Sequence, residues 1–183
     1  MSVTRQYATQ MEVLQAIQFR IVETLDEFTP ANCFILDQPI PPDFPIGRAC
    51  ITISPGSGSF VESMFAGAGA ATLTENATTV VTPMVRQVRD APRSANKALL
   101  SQDDGLLELK WRLLRVLIAS DFDLSLTDAT TGNKRMLLRE QLSIRSCDPP
   151  GFTQVGQYSM MGMSMTFNTP FDWGLPEYPG ASY

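Results

Sequence analysis

The chain has 183 residues, of which 44% are hydrophobic and 18% charged, a composition that suits one folded domain with a real core. Its 14 basic and 19 acidic residues give a formal charge of -5, which argues against a nucleic-acid-binding surface built from clustered lysine and arginine. Histidine is absent, so the commonest general base and the commonest metal ligand are missing, and an enzyme is less expected.

The three cysteines, Cys33, Cys50 and Cys147, show no C-x-x-C spacing. An odd number without that spacing argues against a disulfide framework and against a thiolate zinc site, and small buried thiols are expected instead. The first residues contain no apolar core of a secretory signal, and no apolar run approaches the roughly 18 residues that a membrane span needs. Synthesis in the cytoplasm and no membrane segment are expected.

The first predicted element is a helix over residues 4–28. Apolar residues recur there at steps of three and four, which predicts one stripe facing the core. That stripe consists of Tyr7, Met11, Leu14, Ile17, Ile21, Leu25 and Phe28. Residues 33–36 then predict a short strand, and the four prolines of residues 37–47 predict an ordered loop or arm.

Residues 48–54 predict the next strand, and the Pro-Gly-Ser-Gly-Ser sequence of residues 55–59 predicts a turn or flexible loop. Residues 60–89 are rich in Thr, Val and Ala and predict a long β-hairpin that reverses at residues 75–76. Pro83 is expected to place the second strand of this hairpin at a sheet edge, or to introduce a bulge.

A second helical region is predicted over residues 94–120, with Asp103-Asp104-Gly105 splitting it and an aspartate capping the main helix. Its core stripe comprises Leu106, Leu109, Leu113, Val116 and Leu117. A further set widens the apolar surface: Leu107, Trp111, Leu114 and Ile118. A helix that is apolar on most sides is expected to lie between a sheet and a second layer.

Further strands are predicted over residues 122–126 and 134–146, around a turn, with a break at 147–152. Residues 158–169 alternate with a period of two, which predicts a strand with one apolar and one small polar face. Met161, Met163, Met165 and Phe167 form the apolar face, expected to pack under a helix. Gly162, Ser164, Thr166 and Asn168 form the other face.

Together these elements predict an α+β fold, with a mostly antiparallel sheet flanked by two main helices. Residues 1–183 form one domain in this prediction, with a hairpin arm at 60–89 and an extended C-terminal arm at 170–183. No internal repeat and no polar linker divides the chain.

No arrangement of residues indicates catalysis, cofactor binding or a metal site. The methionine run could hold a soft metal, but a core strand is favoured because no Cys or His lies near it in sequence. The Gly-Ser-Gly-Ser and Gly-Ala-Gly-Ala-Ala sequences do not match a phosphate-binding loop. The aspartate pairs Asp103-Asp104 and Asp121 with Asp123 are interpreted as caps or turns.

Several segments, taken in this order, resemble the small neck and tail-completion proteins of tailed bacteriophages, most closely the tail terminators. They are the N-terminal amphipathic helix, the sequences DQPIPPDFP and ACITISPG, the hairpin, the sequence ALLSQDDGLLELKWRLLRVL and the final strand MGMSMTFNTPFDWGL. The resemblance covers residues 5–175 and is one of pattern, without a diagnostic motif.

The resemblance implies a virion protein, assembled in the host cytoplasm, that forms a homo-oligomeric ring, typically a hexamer. Such a ring caps the tail tube, ends its polymerisation and joins it to the head connector or stopper, with the tail sheath as a possible further partner. DNA passes through the lumen without specific binding, which a negatively charged wall favours. The residues expected at subunit interfaces are Phe60, Phe65, Gly67, Gly69, Thr72, Thr74, Phe171 and Trp173.

Three alternatives remain open. The chain could be another phage neck or tail subunit, such as a connector, stopper, tube or baseplate protein. It could belong to a cellular contractile-injection system with the same ring architecture. It could also be a small enzyme or ligand-binding domain, which a deep pocket with converging polar groups would indicate.

Overall fold

The computed structural model describes residues 8–36, 48–63, 72–86, 99, 105–118, 124–127, 134–138, 140–155 and 158–173. In these residues the fold is α+β, with two helices and a mostly antiparallel seven-stranded sheet, as predicted. The elements are α1 (Gln10–Thr24), β1 (Cys33–Ile35), β2 (Ala49–Ser63), β3 (Thr72–Arg86), α2 (Leu106–Ile118), β4 (Ser125–Thr127), β5 (Lys134–Met136), β6 (Ser143–Cys147), β7 (Gly151–Val155), β8 (Tyr158–Gly162) and β9 (Met165–Trp173).

Helix α1 begins at a capping box. The Thr9 hydroxyl accepts a hydrogen bond from the Glu12 backbone N–H, and the Glu12 carboxylate accepts one from the Thr9 N–H at 2.8 Å. The helix ends at Thr24, four residues before the predicted end, because Leu25 adopts an extended conformation. Leu25 and Phe28 are nevertheless buried, so the apolar pattern continues past the last helical turn.

The buried side of α1 leaves out one residue of the predicted apolar stripe. Met11 was expected to face the core and is 53% exposed, so that prediction is wrong. The buried side chains of the helix are Val13, Leu14, Ala16, Ile17 and Ile21. Since a helix repeats every 3.6 residues, steps of three and four drift around its axis, and Met11 falls outside the buried face.

Strands β2 and β3 form one antiparallel hairpin that pairs from Ala49 with Val85 to Ser63 with Thr72. The predicted reversal at residues 75–76 is therefore wrong, because that dipeptide lies inside β3. The chain reverses between residues 63 and 72. The residues between these two include the glycine-rich sequence and lie outside the described residues. The hairpin is thus longer than predicted, with 15 residues in each strand.

The Pro-Gly-Ser-Gly-Ser sequence lies within β2 and not in a turn, which corrects the prediction. The register shifts by one residue between Pro55 and Gly58, so Gly56 and Ser57 together stand opposite Thr78. The Thr78 hydroxyl donates to the Ser57 carbonyl at 2.7 Å. This bond gives the Ser57 carbonyl a partner at the point where the register shifts. This arrangement is a β-bulge, and it allows the strand to continue through a sequence typical of turns.

Pro83 lies in a central strand, so the expected edge position is wrong. Strand β3 pairs with β2 on one side and with β8 and β9 on the other. The Pro83 carbonyl accepts a hydrogen bond from the Met163 N–H at 3.3 Å, but proline has no N–H to return. Residues 163–164, where β8 and β9 are interrupted, stand opposite this missing donor.

The main sheet combines the long β2–β3 hairpin with the short antiparallel pair β7–β8. Strand β1 pairs with β2 in parallel, and all the other described pairs are antiparallel. Beyond β3, β8 and β9 follow one another along the sheet, with β7 and β6 outside them. The predicted strand over 134–146 is divided in two, because β5 pairs with β4 in a small separate hairpin whereas β6 joins the main sheet.

Both helices cover one face of the sheet. The core residues of α2 are the five predicted ones, all buried, and the sheet contributes Met161, Met163, Met165 and Phe167 to the same cluster. The methionine strand therefore packs beneath the helices, as predicted. The core also includes Leu124 and Leu137, from the ends of the β4–β5 hairpin, and Leu99 packs against it.

Other predicted features lie outside the described residues. They are the start of the first helix at 4–7, the proline-rich arm at 37–47, the segment 94–98, the four aspartates of the turn and cap interpretations (Asp103, Asp104, Asp121 and Asp123), and residues 174–183 of the C-terminal arm. Residues 170–173 of that arm belong to β9.

Candidate subunit interface

The far end of the β2–β3 hairpin carries the most exposed of the predicted interface residues. Phe60 is 59% exposed, and its neighbour Val61 is exposed as well. Phe60 stands opposite Glu75 of β3, and Val61 stands opposite Thr74. Two adjacent large apolar side chains are thus presented to solvent near the tip of a strand that the fold does not cover.

The other predicted interface residues have different environments. Thr74 is buried, and its hydroxyl donates to the Asp172 carboxylate at 2.6 Å. Phe171 is fully buried in the main core, so it contributes to packing within the chain. The backbones of Thr72 and Trp173 pair with Ser63 and Leu73 respectively. Phe65, Gly67 and Gly69 lie outside the described residues.

Three exposed aromatic side chains were not predicted. Phe19 on α1 and Phe152 on β7 are both more than 60% exposed, and Trp111 on α2, expected to widen the buried stripe, is 63% exposed. Trp111 lies between two basic residues in sequence, which was a signal that its side of the helix faces water. Each layer of the fold, helices and sheet, therefore exposes at least one aromatic side chain.

The sheet face away from the helices is small and polar along the methionine strand, as predicted. Its four predicted residues are half-buried. The Ser164 hydroxyl lies 3.1 Å from that of Thr82, and the Asn168 amide donates to the Ser143 hydroxyl at 3.1 Å. These contacts join neighbouring strands through uncharged side chains.

One end of that second face carries a small apolar cluster. Cys50, Met84 and Met160 are buried there, with Phe34 and Tyr158 packed against them. The guanidinium of Arg86 lies 3.9 Å from the centre of the Tyr158 ring, a cation–π contact that closes the cluster at its edge. The second face is therefore apolar at the β8 end and polar along β9.

The structure places a cysteine beside the methionine strand, which corrects one reason given against a soft-metal site. The Cys147 thiol donates to the Met163 thioether, with 3.6 Å between the sulfur atoms. Sequence proximity could not show this, because the two residues belong to neighbouring strands. Among the described residues, no group of three or more His, Cys, Asp or Glu side chains is placed to hold a metal ion.

The thiols of Cys33 and Cys50 are poorly suited to act as nucleophiles. Burial raises the pKa of the Cys50 thiol from 9.0 to about 12. Burial, and to a lesser extent the charge of Cys50, raises the pKa of Cys33 to about 12 as well. Because the thiolate is the reactive form, both groups are neutral and unreactive near pH 7.

The acidic end of α1 has a partner on the second helix. Glu27, just after α1, forms an ion pair with Arg112 of α2 at 2.5 Å. Both side chains are partly exposed, so the pair contributes little to stability. Glu23 and Asp26 are exposed beside it, and together they form an acidic surface at the helix end.

Comparisons with known proteins identify no relative. A scan against protein-family models found no family that matches the chain, and a search of curated proteins found no significant match. Neither α1 nor α2 has the length and apolar character of a membrane-spanning helix.

Proposed function

We propose that this chain is a virion structural protein of a tailed bacteriophage, a tail terminator whose subunits form a ring. The ring caps the tail tube, ends its polymerisation and joins it to the head connector. In this proposal the exposed end of the β2–β3 hairpin contacts the neighbouring subunit, and the chain performs no catalysis.

One observation carries the proposal: the hairpin is long and ends in exposed apolar side chains. A 15-residue strand spans about 50 Å at roughly 3.3 Å per residue, longer than the five or six residues of a typical strand. Phe60 and Val61 near its end stand opposite the polar residues Glu75 and Thr74 and are each half exposed or more, so they lie outside the core of the chain. Exposed apolar groups at the end of an extended element favour contact with a neighbouring subunit.

The charge of the chain is consistent with this role. The formal charge of -5 gives DNA no set of cations to exchange for its counterions. Thr82, Ser164 and Asn168 are uncharged, and a surface built from such side chains would let DNA pass without retaining it. A strongly basic lumen in an assembled ring would contradict this part of the proposal.

The first experiment is to measure the mass of the purified full-length protein by light scattering after gel filtration and to image it by negative stain. Rings of about six subunits are expected. The protein would also be added to tail tube subunits of the same phage during polymerisation, where it should bind tube ends and limit tube length. A protein that neither forms rings nor binds tube ends would contradict the proposal.

A matched pair of variants tests the role of the hairpin. Phe60→Ser is expected to abolish rings, because it removes the exposed aromatic group while leaving the core unchanged. Phe19→Ser removes an equally exposed aromatic group from the helical layer and should leave the rings intact. Circular dichroism and thermal unfolding would show that both variants remain folded. Equal loss of rings in both variants would contradict the specific role of the hairpin.

A further inference from the structure

The proposed ring needs a second surface on each subunit, because the hairpin end of one copy must meet a different surface on the next copy. That surface has to be exposed in the folded chain and has to offer an apolar partner to Phe60. Among the side chains that the structure describes, the other exposed phenylalanine and tryptophan groups are Phe19 on α1, Trp111 on α2 and Phe152 on β7. Their surroundings decide which of them suits the hairpin end.

The outer side of α2 is an exposed surface that is both apolar and basic. Trp111, Arg115 and Ile118 follow one another at steps of four and three, so they share one side of the helix. All three side chains are exposed, and Trp111 is 63% exposed. The five core residues of α2 lie on its other side. The helix is therefore apolar on two sides, and among the described residues only the side towards the sheet is covered.

Phe60 faces the same side of the main sheet as the two helices. Ala77 and Val81 of β3 belong to the core on which α1 and α2 pack. Glu75 lies two residues before Ala77 and faces the same way, and Phe60 stands directly opposite Glu75. Because Phe60 is 59% exposed, the described helices of its own subunit do not cover it. A helix of a neighbouring copy placed there would continue the helical layer over the hairpin end.

The charges of the hairpin and of α2 are complementary. Residues 49–85 contain Glu62 and Glu75 and no lysine or arginine. Helix α2 carries three basic residues and one acidic residue. Arg115, one turn after Trp111, is exposed and has no ion-pair partner among the described residues. An acidic hairpin is therefore attracted to the outer side of α2.

The other two exposed aromatic groups lack this combination. Phe19 is followed one turn later by the exposed Glu23, and the last turn of α1 contains no basic residue. That surface would repel an acidic hairpin. Strand β7, which carries Phe152, contains no charged residue. Of the three surfaces, only the outer side of α2 matches the hairpin end in both apolar character and charge.

We propose that the hairpin end of each subunit docks on the outer side of α2 in the neighbouring subunit, with the Phe60 ring against the Trp111 indole and the acidic hairpin facing Arg115. This inference rests on the proposed function, because it names the surface that receives the hairpin in the ring. The two surfaces are different parts of the same chain, so the contact is head-to-tail and can repeat around a ring. Aromatic groups buried at such a contact carry much of its binding energy.

Two variants that each remove one side of the contact test it. Phe60→Ser lacks the inserted group and Trp111→Ser lacks the receiving group, so each alone should associate about tenfold more weakly, or worse, and form no rings. Mixed in equal amounts they should form heterodimers, because one intact hairpin then meets one intact α2, but no rings. The double variant Phe60→Ser/Trp111→Ser should stay monomeric. Light scattering measures each mass, and circular dichroism shows that each variant is folded.

Reversal of one charge tests the electrostatic part of the contact. Arg115→Glu places an acid against the acidic hairpin and should weaken ring formation about tenfold. Glu23→Lys reverses an equally exposed charge at the end of α1 and should leave the rings unchanged. Both variants are measured by light scattering over a dilution series. Equal association of these two variants would contradict the choice of α2 on grounds of charge.

A photo-crosslink identifies the receiving surface directly. Substituting p-benzoylphenylalanine for Phe60 retains an aromatic ring, and ultraviolet light then links this ring to the groups that contact it. In the full-length protein, mass spectrometry of the digested product should place the link on residues 106–118 of another subunit. Phe152→Ser is the matched control, because it removes an equally exposed aromatic group and should change neither the rings nor the crosslink.

The outcomes separate this inference from the proposed function. Rings that persist in a folded Trp111→Ser variant, or a link to a segment outside residues 106–118, would overturn the docking on α2 and leave the ring proposal standing. Subunits linked between residue 60 and residues 106–118 that neither form rings nor bind tube ends would support the docking and contradict the role of tail terminator. The absence of association, of the link and of binding to tube ends would overturn both.

Discussion

Met163 has two structural roles, one for its side chain and one for its backbone N–H. Its side chain is buried in the core under the helices and touches the Cys147 thiol, and its N–H donates to the Pro83 carbonyl. The residue therefore stabilises the core and also connects the sheet at the point where proline removes a donor. An unbranched, flexible thioether suits such an irregular position.

Replacing Met163 by aspartate should lower the free energy of unfolding by about 3 kcal/mol or more, because a charge would enter apolar surroundings. Urea denaturation followed by circular dichroism measures the change. Ser146→Asp is the control, since it places the same charge on the exposed β6 strand and should change stability by about 0.5 kcal/mol or less. Wild-type stability in Met163→Asp would refute the assignment of the methionine face to the core.

The buried thiols predict a dependence of stability on alkaline pH. In the unfolded chain a cysteine ionises near 9.0, whereas Cys33 and Cys50 in the fold ionise near 12. Their contribution is complete below pH 9 and is lost between pH 9 and about 12, as only the unfolded chain releases these protons. Unfolding free energies measured across this range should fall, and Cys50→Ala should make the slope shallower. An unchanged slope would contradict the assignment of Cys50.

At the scale of elements, the bulge in β2 determines how the longest hairpin is built. Gly56 fits there because a Cβ atom would collide with the Thr78 hydroxyl and also approach the Thr78 carbonyl closely. That hydroxyl is held by its bond to Ser57 and cannot move away freely. Glycine is therefore required at this position because there is no space for a side chain.

Gly56→Ala should destabilise the fold by roughly 1–3 kcal/mol, the usual effect of forcing atoms into a packed site. Gly151→Ala is the control, since a Cβ there meets open space and the change should be within about 0.5 kcal/mol. Thermal and urea unfolding of both variants would provide the comparison. Equal stability of the two variants would contradict the close packing at the bulge.

The elements that could be predicted are those whose periodicity has one interpretation. The α2 core stripe and the methionine strand are confirmed residue by residue. Burial of one face spaces the apolar residues regularly along the sequence, and this spacing can be recognised directly. The bulge could not be predicted, because Pro-Gly-Ser-Gly-Ser is typical of turns and only the pairing with Thr78 keeps it in a strand. The reversal of the hairpin was misplaced for the same reason.

The predicted interface residues differ in how exposed they are. Phe60 is exposed as that prediction requires, but Phe171 is buried, and alternation continued two steps beyond Phe167 would have placed it inward. Strand β7 was missed because residues 147–152 were interpreted as a break, whereas the strand begins at Gly151. Which strand has no outer neighbour depends on the order of strands in the sheet, which local sequence does not encode.

At the scale of the whole molecule, the described helices lie on one face of the main sheet. The two helices and the β4–β5 hairpin pack on that face, and the second face carries a short apolar cluster and a polar surface. In the proposed assembly the exposed end of the β2–β3 hairpin contacts the neighbouring subunit, and that contact displaces no element of the core.

The position of β9 late in the chain determines when the main sheet can be completed. Its pairing with β3 joins residues as far apart as Leu73 and Trp173, and the Ala8 N–H donates to the Asp172 carbonyl at 3.0 Å. Strand β3 therefore receives this partner only after β9 has left the ribosome. Contacts between such distant residues slow folding, because a long loop must close before they form. A chain terminated before β9 lacks the strand that pairs with both β3 and β6, so its main sheet cannot be completed.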